Sequence, residues 1–339
     1  MVSRVAAATC TLLIWVTAAS AQMETRGGPF GIATLPVVSE GLMTSPGALG
    51  PGAGASCSMN MRKYLNSFTS YEFPNPYAPN QDPLSRLEFP IDQWFAGLTA
   101  AYKASWWTLE ASGWMNVNRD SKAAMQDSDW DDELDPSQKT IFSESKSRLD
   151  KGFLCDVGLS IVTPLSGPTF SIRPVLGMRH QYFAFTTYDG TQYDIEGATD
   201  ELPGDGIQFK QTFLHYYAGA AVGAVLNFGG SYTALPPLYV SLQGDYAKVS
   251  GRNEDLHLLR LGNRTTTENT EGYCWHIGCK AESGRFGSTR LGLLADFTRI
   301  STKGTHELQN GDFGIQLSFD GARVWSDQAS LSGYAEFRF

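Results

Sequence analysis

The sequence lacks the long apolar runs and the excess of positive charge that would mark two common classes of protein. No uninterrupted apolar stretch of about 18 residues follows the first 21, so an α-helical membrane protein is not expected. Acidic residues outnumber basic ones by 35 to 26, and the formal net charge of -9 argues against nucleic acid as a partner. Glycine and aromatic residues, in contrast, are abundant.

Cysteine is scarce as well, with five in the chain. On one continuous strand, Cys274 and Cys279 would lie on opposite faces and about 17 Å apart, beyond the reach of a disulfide unless a turn lies between them. We therefore expect no structural disulfide. Cys274, His276 and Cys279 are close in sequence but have no fourth ligand nearby, so neither a metal site nor a cofactor is predicted.

The N-terminal region has the features of a secretory signal. Arg4 precedes an apolar run that ends at Ala18, and Ala19-Ser20-Ala21 is a small-x-small cleavage site. We predict a signal peptide over residues 1–21. Residues 22–56 are rich in Gly, Pro, Ser and Ala, a composition that predicts a flexible leader outside the folded domain.

Residues 57–339 consist of period-two segments separated by turn-rich stretches. The clearest segment is 216–228, and the last one, 329–339, alternates strictly and ends on an aromatic residue, as the closing strand of a bacterial outer-membrane barrel does. Counting hairpins gives about ten strands, an even number. The predicted fold is all-β: a closed antiparallel transmembrane β-barrel of about ten strands in the cell outer membrane.

The connections differ in length and polarity between the two ends of the predicted barrel. Short ones, assigned to the periplasmic side, are at 164–168, 229–237 and 283–288. Long polar ones, assigned to the exterior, are near 119–142, 187–206, 253–266 and 303–326. A barrel of this size is filled by side chains at its middle, so we expect a site at the mouth rather than a diffusion pore.

Two acidic clusters fall at the predicted outer rim. Side chains two residues apart in a strand point to the same face, and this spacing pairs Asp127 with Asp129 and Asp255 with His257. The strand from Leu238 has its polar, lumen-facing residues at odd positions. If it continues without a bulge, Asp255 and His257 face inward over the barrel mouth.

The first cluster needs an irregular segment before it. Its strand faces inward at even positions as far as Asn118, whereas Asp127 and Asp129 are odd. We therefore predict a bulge or turn around residues 119–124.

These four residues together suggest hydrolytic chemistry. Asp255 would fix the tautomer of the His257 imidazole, leaving its other nitrogen as a general base. Asp127 and Asp129 would repel each other as charges, so one would hold a proton near neutral pH. A water between the two pairs could attack a peptide carbonyl, and no Ser, Cys or Thr nucleophile is required.

The same residues resemble the catalytic motifs of the omptins, the outer-membrane endopeptidases of Gram-negative bacteria. The run 125–132 is similar to the omptin Asp-x-Asp-Trp segment, and 255–257 is similar to the omptin Asp-x-His dyad. Shorter similarities at 85–89, 185–186 and 299–301 extend the resemblance over residues 58–339. It implies an aspartyl-type endopeptidase that acts on extracellular peptides or proteins, with Asp127, Asp129, Asp255 and His257 as catalytic residues.

The residues that would contact substrate depart from the family pattern. Omptins bind a basic residue beside the scissile bond with acidic groups, and one such position, two residues before the dyad aspartate, is Asn253 here. Two other acidic positions fall on Phe68 and Ser143, the latter followed by Glu144. Asn253 and Glu144 are the substrate-binding candidates, and we expect relaxed or altered selectivity.

Outer-membrane lipid is the second expected partner, with the active site facing the exterior. The arginines through which omptins bind lipid A phosphates align here with Tyr182 and Thr212. Whether lipopolysaccharide itself is a partner therefore stays open.

Other interpretations account for the same residues. An acidic run such as 127–135 is by itself typical of a solvated loop. A non-catalytic barrel that acts as an adhesin or structural protein is therefore the alternative function. A lipid-modifying barrel hydrolase is disfavoured, because no histidine is followed two positions later by serine.

Overall fold

The computed structural model describes residues 53–78, 80–167, 169–226, 237–260, 262 and 264–339. The predicted signal peptide and most of the predicted leader lie outside these residues. The first strand begins at Gly54, slightly before the predicted start of the barrel at residue 57.

The described residues form twelve β-strands and are all-β in character. In chain order the strands are β1 Gly54–Phe73, β2 Ser85–Ile91, β3 Trp94–Lys103, β4 Trp107–Asn116, β5 Met125–Asp129, β6 Ile141–Ile161, β7 Phe170–Asp194, β8 Thr199–Leu226, β9 Leu238–His257, β10 Arg264–Ser283, β11 Thr289–Asn310 and β12 Ile315–Arg338. No helix in this part of the chain is long and apolar enough to cross a membrane.

The strands close into one antiparallel ring, in which β1 is hydrogen-bonded to β12. In its lower half β3 and β4 lie between β1 and β6, whereas in its upper half β2 and β5 take that place. The upper end is the one that carries β5 and the end of β9. Ten strands therefore surround the lumen at either height. The prediction of a closed all-β barrel of about ten strands is confirmed.

The outer and inner surfaces of the lower half differ as the alternation predicts. On β9, Leu242 and Tyr246 are 49% and 57% exposed on the outside. Asp245 lies between them in sequence, is buried and points into the lumen, where it meets His276 of β10. An apolar belt outside and a polar interior are the pattern of a barrel surrounded by lipid.

Three of the predicted long loops are wrong, because the strands continue into them. β7 and β8 are joined by residues 195–198, β9 and β10 by residues 258–263, and β11 and β12 by residues 311–314. Above the apolar belt the outer face of a strand meets water instead of lipid, so hydrophobic alternation fades while the backbone ladder goes on. Two of the connections predicted to be short, those after β6 and after β10, lie at the lower end, whereas residues 229–236 of the third lie outside the described residues.

The lumen contains a polar cavity beneath a layer of aromatic rings. The cavity measures about 350 Å³, and its upper lining includes Arg179, Gln181 and His215. Further up the inward faces of β7 and β8 come four phenylalanines with essentially no exposed surface, Phe183, Phe185, Phe209 and Phe213. Consistent with the prediction of a filled middle, this aromatic layer separates the cavity from the upper mouth.

Two of the cysteines considered above, Cys274 and Cys279, lie on one continuous strand, β10, and are free, as is Cys57. No turn lies between Cys274 and Cys279, so the two are too far apart along the strand to pair with each other. Within the described ranges no group of three or more His, Cys, Asp or Glu side chains is placed so that it could hold a metal ion.

The aromatic layer gives a stability prediction. Phe209 stacks on Phe89, with ring centroids 4.2 Å apart, and on Tyr71 at 5.4 Å. Phe209→Ala should lower the free energy of unfolding by about 3–5 kcal/mol, because the surrounding strands cannot collapse into the space left. Urea unfolding in detergent micelles measures the loss. Leu134→Ala, at a 95% exposed loop position, is the control and should change little; equal stability of both variants would contradict the prediction.

Candidate active site

β9 carries the Asp255–His257 pair into the upper mouth of the barrel. The strand pairs with β8 and β10 without a register shift, so the alternation set by Asp245 continues to its end. The side chain of Asp255 has no exposed surface and that of His257 is 11% exposed. His257 Nε2 lies 3.4 Å from Asp255 Oδ2. This is the inward orientation predicted from the odd positions of Asp255 and His257 along the strand.

β5 carries the two aspartates to the same mouth. It lies between β2 and β6, with Asp127 opposite Leu87 on one side and Ser143 on the other. Opposed residues share a face, and Leu87 belongs to the buried interior. Before β5, over residues 117–124, the regular ladder is interrupted apart from an isolated bridge between Asp120 and Arg148. The predicted irregular segment is therefore present, and it restores the inward direction of Asp127 and Asp129.

The electrostatic environment of Asp127 connects the two pairs. Burial, followed by the charge of Asp129, raises the pKa of Asp127 to about 7. His257 and Arg260 act in the opposite direction, and Asp255 adds to the increase. One oxygen of Asp127, Oδ1, is buried with no hydrogen-bond partner. The structure thus brings Asp127 within electrostatic range of the other three predicted catalytic residues, an arrangement that favours a protonated carboxyl near neutral pH.

Tyr71 is a member of the site that the sequence analysis missed. Its hydroxyl donates a hydrogen bond to Asp255 Oδ2, and its side chain is fully buried. Burial and the charge of Asp255 hold the pKa of Tyr71 well above its usual range, so the hydroxyl stays protonated. The alternation of Thr69, Tyr71 and Phe73 marks an inward face, but nothing in it indicates the partner.

Two arginines add positive charge at the rim. Arg264 lies opposite His257 in the ladder between β9 and β10, and its Nε atom is buried without a partner. Arg260, exposed in the connection between these strands, interacts with the charge of Asp127. Both arginines fall in a segment whose polarity predicts only a loop.

A second acid–histidine pair lies beside the first. Glu268 Oε1 and His306 Nδ1 are 2.8 Å apart, and both side chains are almost completely buried. Burial raises the pKa of Glu268, and the hydrogen bond from His306 partly opposes this. His306 stacks on Phe73 at 4.1 Å. The two residues are 38 apart in sequence, and only the register of β10 and β11 brings them together.

The two substrate-binding candidates occupy different surroundings. Asn253 is 1% exposed and lies between Gln211 and Glu268, directly opposite both in the sheet. It accepts a hydrogen bond from Gln211, while its own amide nitrogen has no partner. Glu144 is opposite Gln126 and bonds to it, on the face of β6 away from Asp127. The structure therefore brings Asn253, but not Glu144, to the interior beside the dyad.

An outer-membrane-type β-barrel with an acid–histidine cluster at one mouth is the class of protein that fold and site define together. Residues 78–228 match the family model described as the Omptin family. That range contains Asp127 and Asp129, whereas Asp255 and His257 lie beyond it. The resemblance to omptins stated from the sequence is confirmed.

A solved structure shows the same fold. The chain is similar to the outer membrane protease OmpT from Escherichia coli, with a TM-score of 0.72 and 15% identity over 84% of this chain and 97% of that one. The translocator domain of the autotransporter NalP from Neisseria meningitidis also matches, with a TM-score of 0.32 and 11% identity over 85% of this chain and 90% of that one. That score is too low to support an argument. No curated protein matches the sequence.

The raised pKa of Asp127 predicts how stability depends on pH. The folded barrel keeps a proton on Asp127 up to about pH 7, whereas the unfolded chain releases it near 3.8. The contribution of Asp127 to stability is therefore complete below pH 3.8 and is lost as the pH rises through about 7. Asp127→Asn should stabilise the barrel more at pH 8 than at pH 4, as measured by urea unfolding.

The control for this measurement is Asp131→Asn, which removes a charge from an exposed position two residues after β5. Its effect should be small and similar at both pH values. If the two variants depend on pH in the same way, burial of Asp127 is not the cause.

Proposed function

We propose that this protein is an outer-membrane endopeptidase with its active site at the extracellular mouth of the barrel. A water held between the Asp255–His257 dyad and the Asp127–Asp129 pair would hydrolyse the peptide bond. The observation that carries this proposal is the electrostatic coupling of Asp127 to both members of the dyad, although the two pairs lie on separate strands. A solvated acidic loop would not lie half-buried on a strand of the barrel within electrostatic range of a histidine in this way.

The dyad supplies the base in this proposal. The oxygen of the water bonds to the carbonyl carbon while His257 takes a proton from that water. Asp255 stabilises the resulting imidazolium. When the tetrahedral intermediate collapses, the C–N bond breaks and His257 returns the proton to the leaving amine. Water and peptide are thereby converted to a carboxylic acid and an amine, with His257 restored.

The aspartate pair supplies the acid. A carboxyl with a pKa of about 7 is partly protonated at neutral pH, so Asp127 can donate a hydrogen bond to the developing oxyanion. Asp129, which contributes to that raised pKa, would remain the charged partner that helps to hold the water. Cations at the rim, Arg260 and Arg264, add a positive potential above the carboxylates.

The partners follow from the same proposal. Extracellular peptides or proteins are the substrates, and outer-membrane lipid surrounds the apolar belt on the lower half. The upper end, which carries the cluster, would then face the exterior, as the predicted positions of the short connections require.

The catalytic prediction tests the four residues together. His257→Ala and Asp255→Asn should each lower kcat/KM for a cleaved peptide by a factor on the order of 10³ or more, because base and orienting acid act as a unit. Asp127→Asn and Asp129→Asn should be comparably damaging. The measurement is cleavage of a peptide library by refolded protein, with substrates of the wild type then used for kinetics.

The matched control is Asp131→Asn, which should retain wild-type activity because it lies outside the site. Folding of every variant is checked by the change in gel migration on heating that intact barrels show. Full activity in the combined Asp127, Asp129, Asp255 and His257 variant would rule out the mechanism. A folded wild type that cleaves no peptide would favour the adhesin or structural interpretation.

We also propose that the selectivity of this protein differs from the family pattern. A carboxylate beside the dyad would bind an Arg or Lys side chain through charge-assisted hydrogen bonds, but Asn253 offers a neutral amide. The nearest buried carboxylate, Glu268, is already paired with His306. We therefore propose weak discrimination for a basic residue at the cleaved bond.

Asn253→Asp should increase the preference for Arg, because it adds a carboxylate at this position. The measurement is kcat/KM on matched peptides that differ only at the residue before the scissile bond. Asn269→Asp adds the same charge at an exposed position on β10 and should leave the preference unchanged. A strong Arg preference in the wild type that Asn253→Asp does not alter would refute a role for Asn253.

A further inference from the structure

The hydrogen bond between Tyr71 and Asp255 crosses the barrel. Tyr71 is on β1 and Asp255 on β9, and three strands, β10, β11 and β12, separate these two in the ring. The bond therefore spans the lumen rather than a neighbouring pair of strands. Backbone pairing does not require such a contact, so it must be made by the side chains themselves.

The ring of Tyr71 is held rigidly in place. It is fully buried and lies nearly parallel to Phe209, at 5.4 Å and an interplanar angle of 14°. Phe73, two residues further along the same strand, lies nearly parallel to it at 6.4 Å. A fully buried ring in contact with two others has little room to turn, so the aromatic layer restricts the direction of its hydroxyl.

Asp255 depends on few other partners. Its Oδ2 atom receives the Tyr71 hydrogen bond and also contacts His257 Nε2, whereas Oδ1 is buried with no hydrogen-bond partner. Within the described residues Tyr71 is thus the one neutral donor to this carboxylate. Without it, the carboxylate is free to rotate about its Cβ–Cγ bond, and the oxygen that contacts His257 is no longer specified.

We infer that Tyr71 is a positioning residue of the active site, whose hydroxyl fixes the Asp255 carboxylate in the orientation that aligns His257. The inference rests on the proposed function of the dyad. Tyr71 does not reach the substrate in this assignment, and it acts through Asp255 alone.

Several charged and titratable groups surround the dyad. They are Asp255 on β9, Arg264 and Glu268 on β10, Arg260 in the connection between β9 and β10, Asp127 and Asp129 on β5, and Tyr71 on β1. Tyr71→Phe alters only one of them and changes no charge.

The first measurement does not need activity. The chain has five histidines, so protein labelled at histidine Cε1 gives five NMR signals, and His257→Gln identifies the one from the dyad. At pH 7, Tyr71→Phe should shift the His257 signal. Tyr217→Phe is the matched control, because the Tyr217 hydroxyl donates to Asp156 at 2.8 Å deeper in the lumen, and it should leave the His257 signal unchanged.

The second measurement is kinetic. Tyr71→Phe should lower kcat by about 10- to 100-fold with KM unchanged, which is the loss expected for one hydrogen bond to a charged group. The acid limb of the pH profile of kcat/KM should move to higher pH, because Asp255 without its donor stabilises a cationic imidazole more strongly. Tyr217→Phe should change neither quantity.

The two measurements separate this inference from the proposed function. An unchanged His257 signal in Tyr71→Phe overturns the positioning role, whatever the activity. Equal kinetic losses in Tyr71→Phe and Tyr217→Phe, with no change of pH profile, also overturn it, since they indicate general destabilisation. A wild type without peptidase activity but with a shifted His257 signal in Tyr71→Phe supports the positioning role and rejects the proposed function.

Discussion

Closure of the sheet is the constraint on which the rest of this structure depends. Lipid offers no hydrogen-bond partner to backbone N–H and C=O groups, so a sheet within it can have no free edge. Here β1 pairs with β12 from Ser56 opposite Arg338 up to Glu72 opposite Arg323, which joins the first strand to the last. A closed ring fixes the height and direction of each inward side chain. For this reason β5 and β9 can present two pairs of reactive groups at one mouth without any direct pairing between them.

Inside the ring, packing determines the chemistry. The polar network of the lower lumen and the upper cluster are separated by the buried aromatic layer. That layer, on which Tyr71 stacks through Phe209, forms the apolar floor of the candidate site. The raised pKa of Asp127 has two causes: its burial above these apolar rings and the negative charge of neighbouring Asp129. The same aromatic rings therefore support the barrel and set the protonation of the groups above them.

The sequence predicted the fold and much of the site because both follow from alternation within single strands. The alternation of odd and even positions along β9 was sufficient to predict that Asp255 and His257 point inward. On the strand before Asp127 the inward positions are even, so the odd positions of Asp127 and Asp129 required the interruption over residues 117–124. Tyr71 and the Glu268–His306 pair could not be found this way. Their contacts depend on which strands become neighbours and on what lies across the lumen, and no local pattern encodes either.

The upper strands and Glu144 show the second limit. Period-two hydrophobicity exists only where one face of a strand meets lipid, so above the apolar belt a continuous strand resembles a polar loop in sequence. Glu144 was chosen by its proximity in sequence to a family position, but adjacent residues on a strand point to opposite faces. Position along the chain alone is therefore a poor guide to which acidic group reaches an interior site.

The replacement of β3 and β4 by β2 and β5 in the upper ring has a consequence for local motion. β5 has only 5 residues, whereas β9 has 20 and is paired along its whole length on both sides. Few backbone hydrogen bonds hold a short segment, so its amides exchange with solvent through small openings that leave the remaining barrel intact. The aspartates on β5 and the dyad on β9 consequently belong to two cooperative units of unequal protection. Assembly of the complete site is then a local equilibrium of β5, superimposed on a barrel that stays closed.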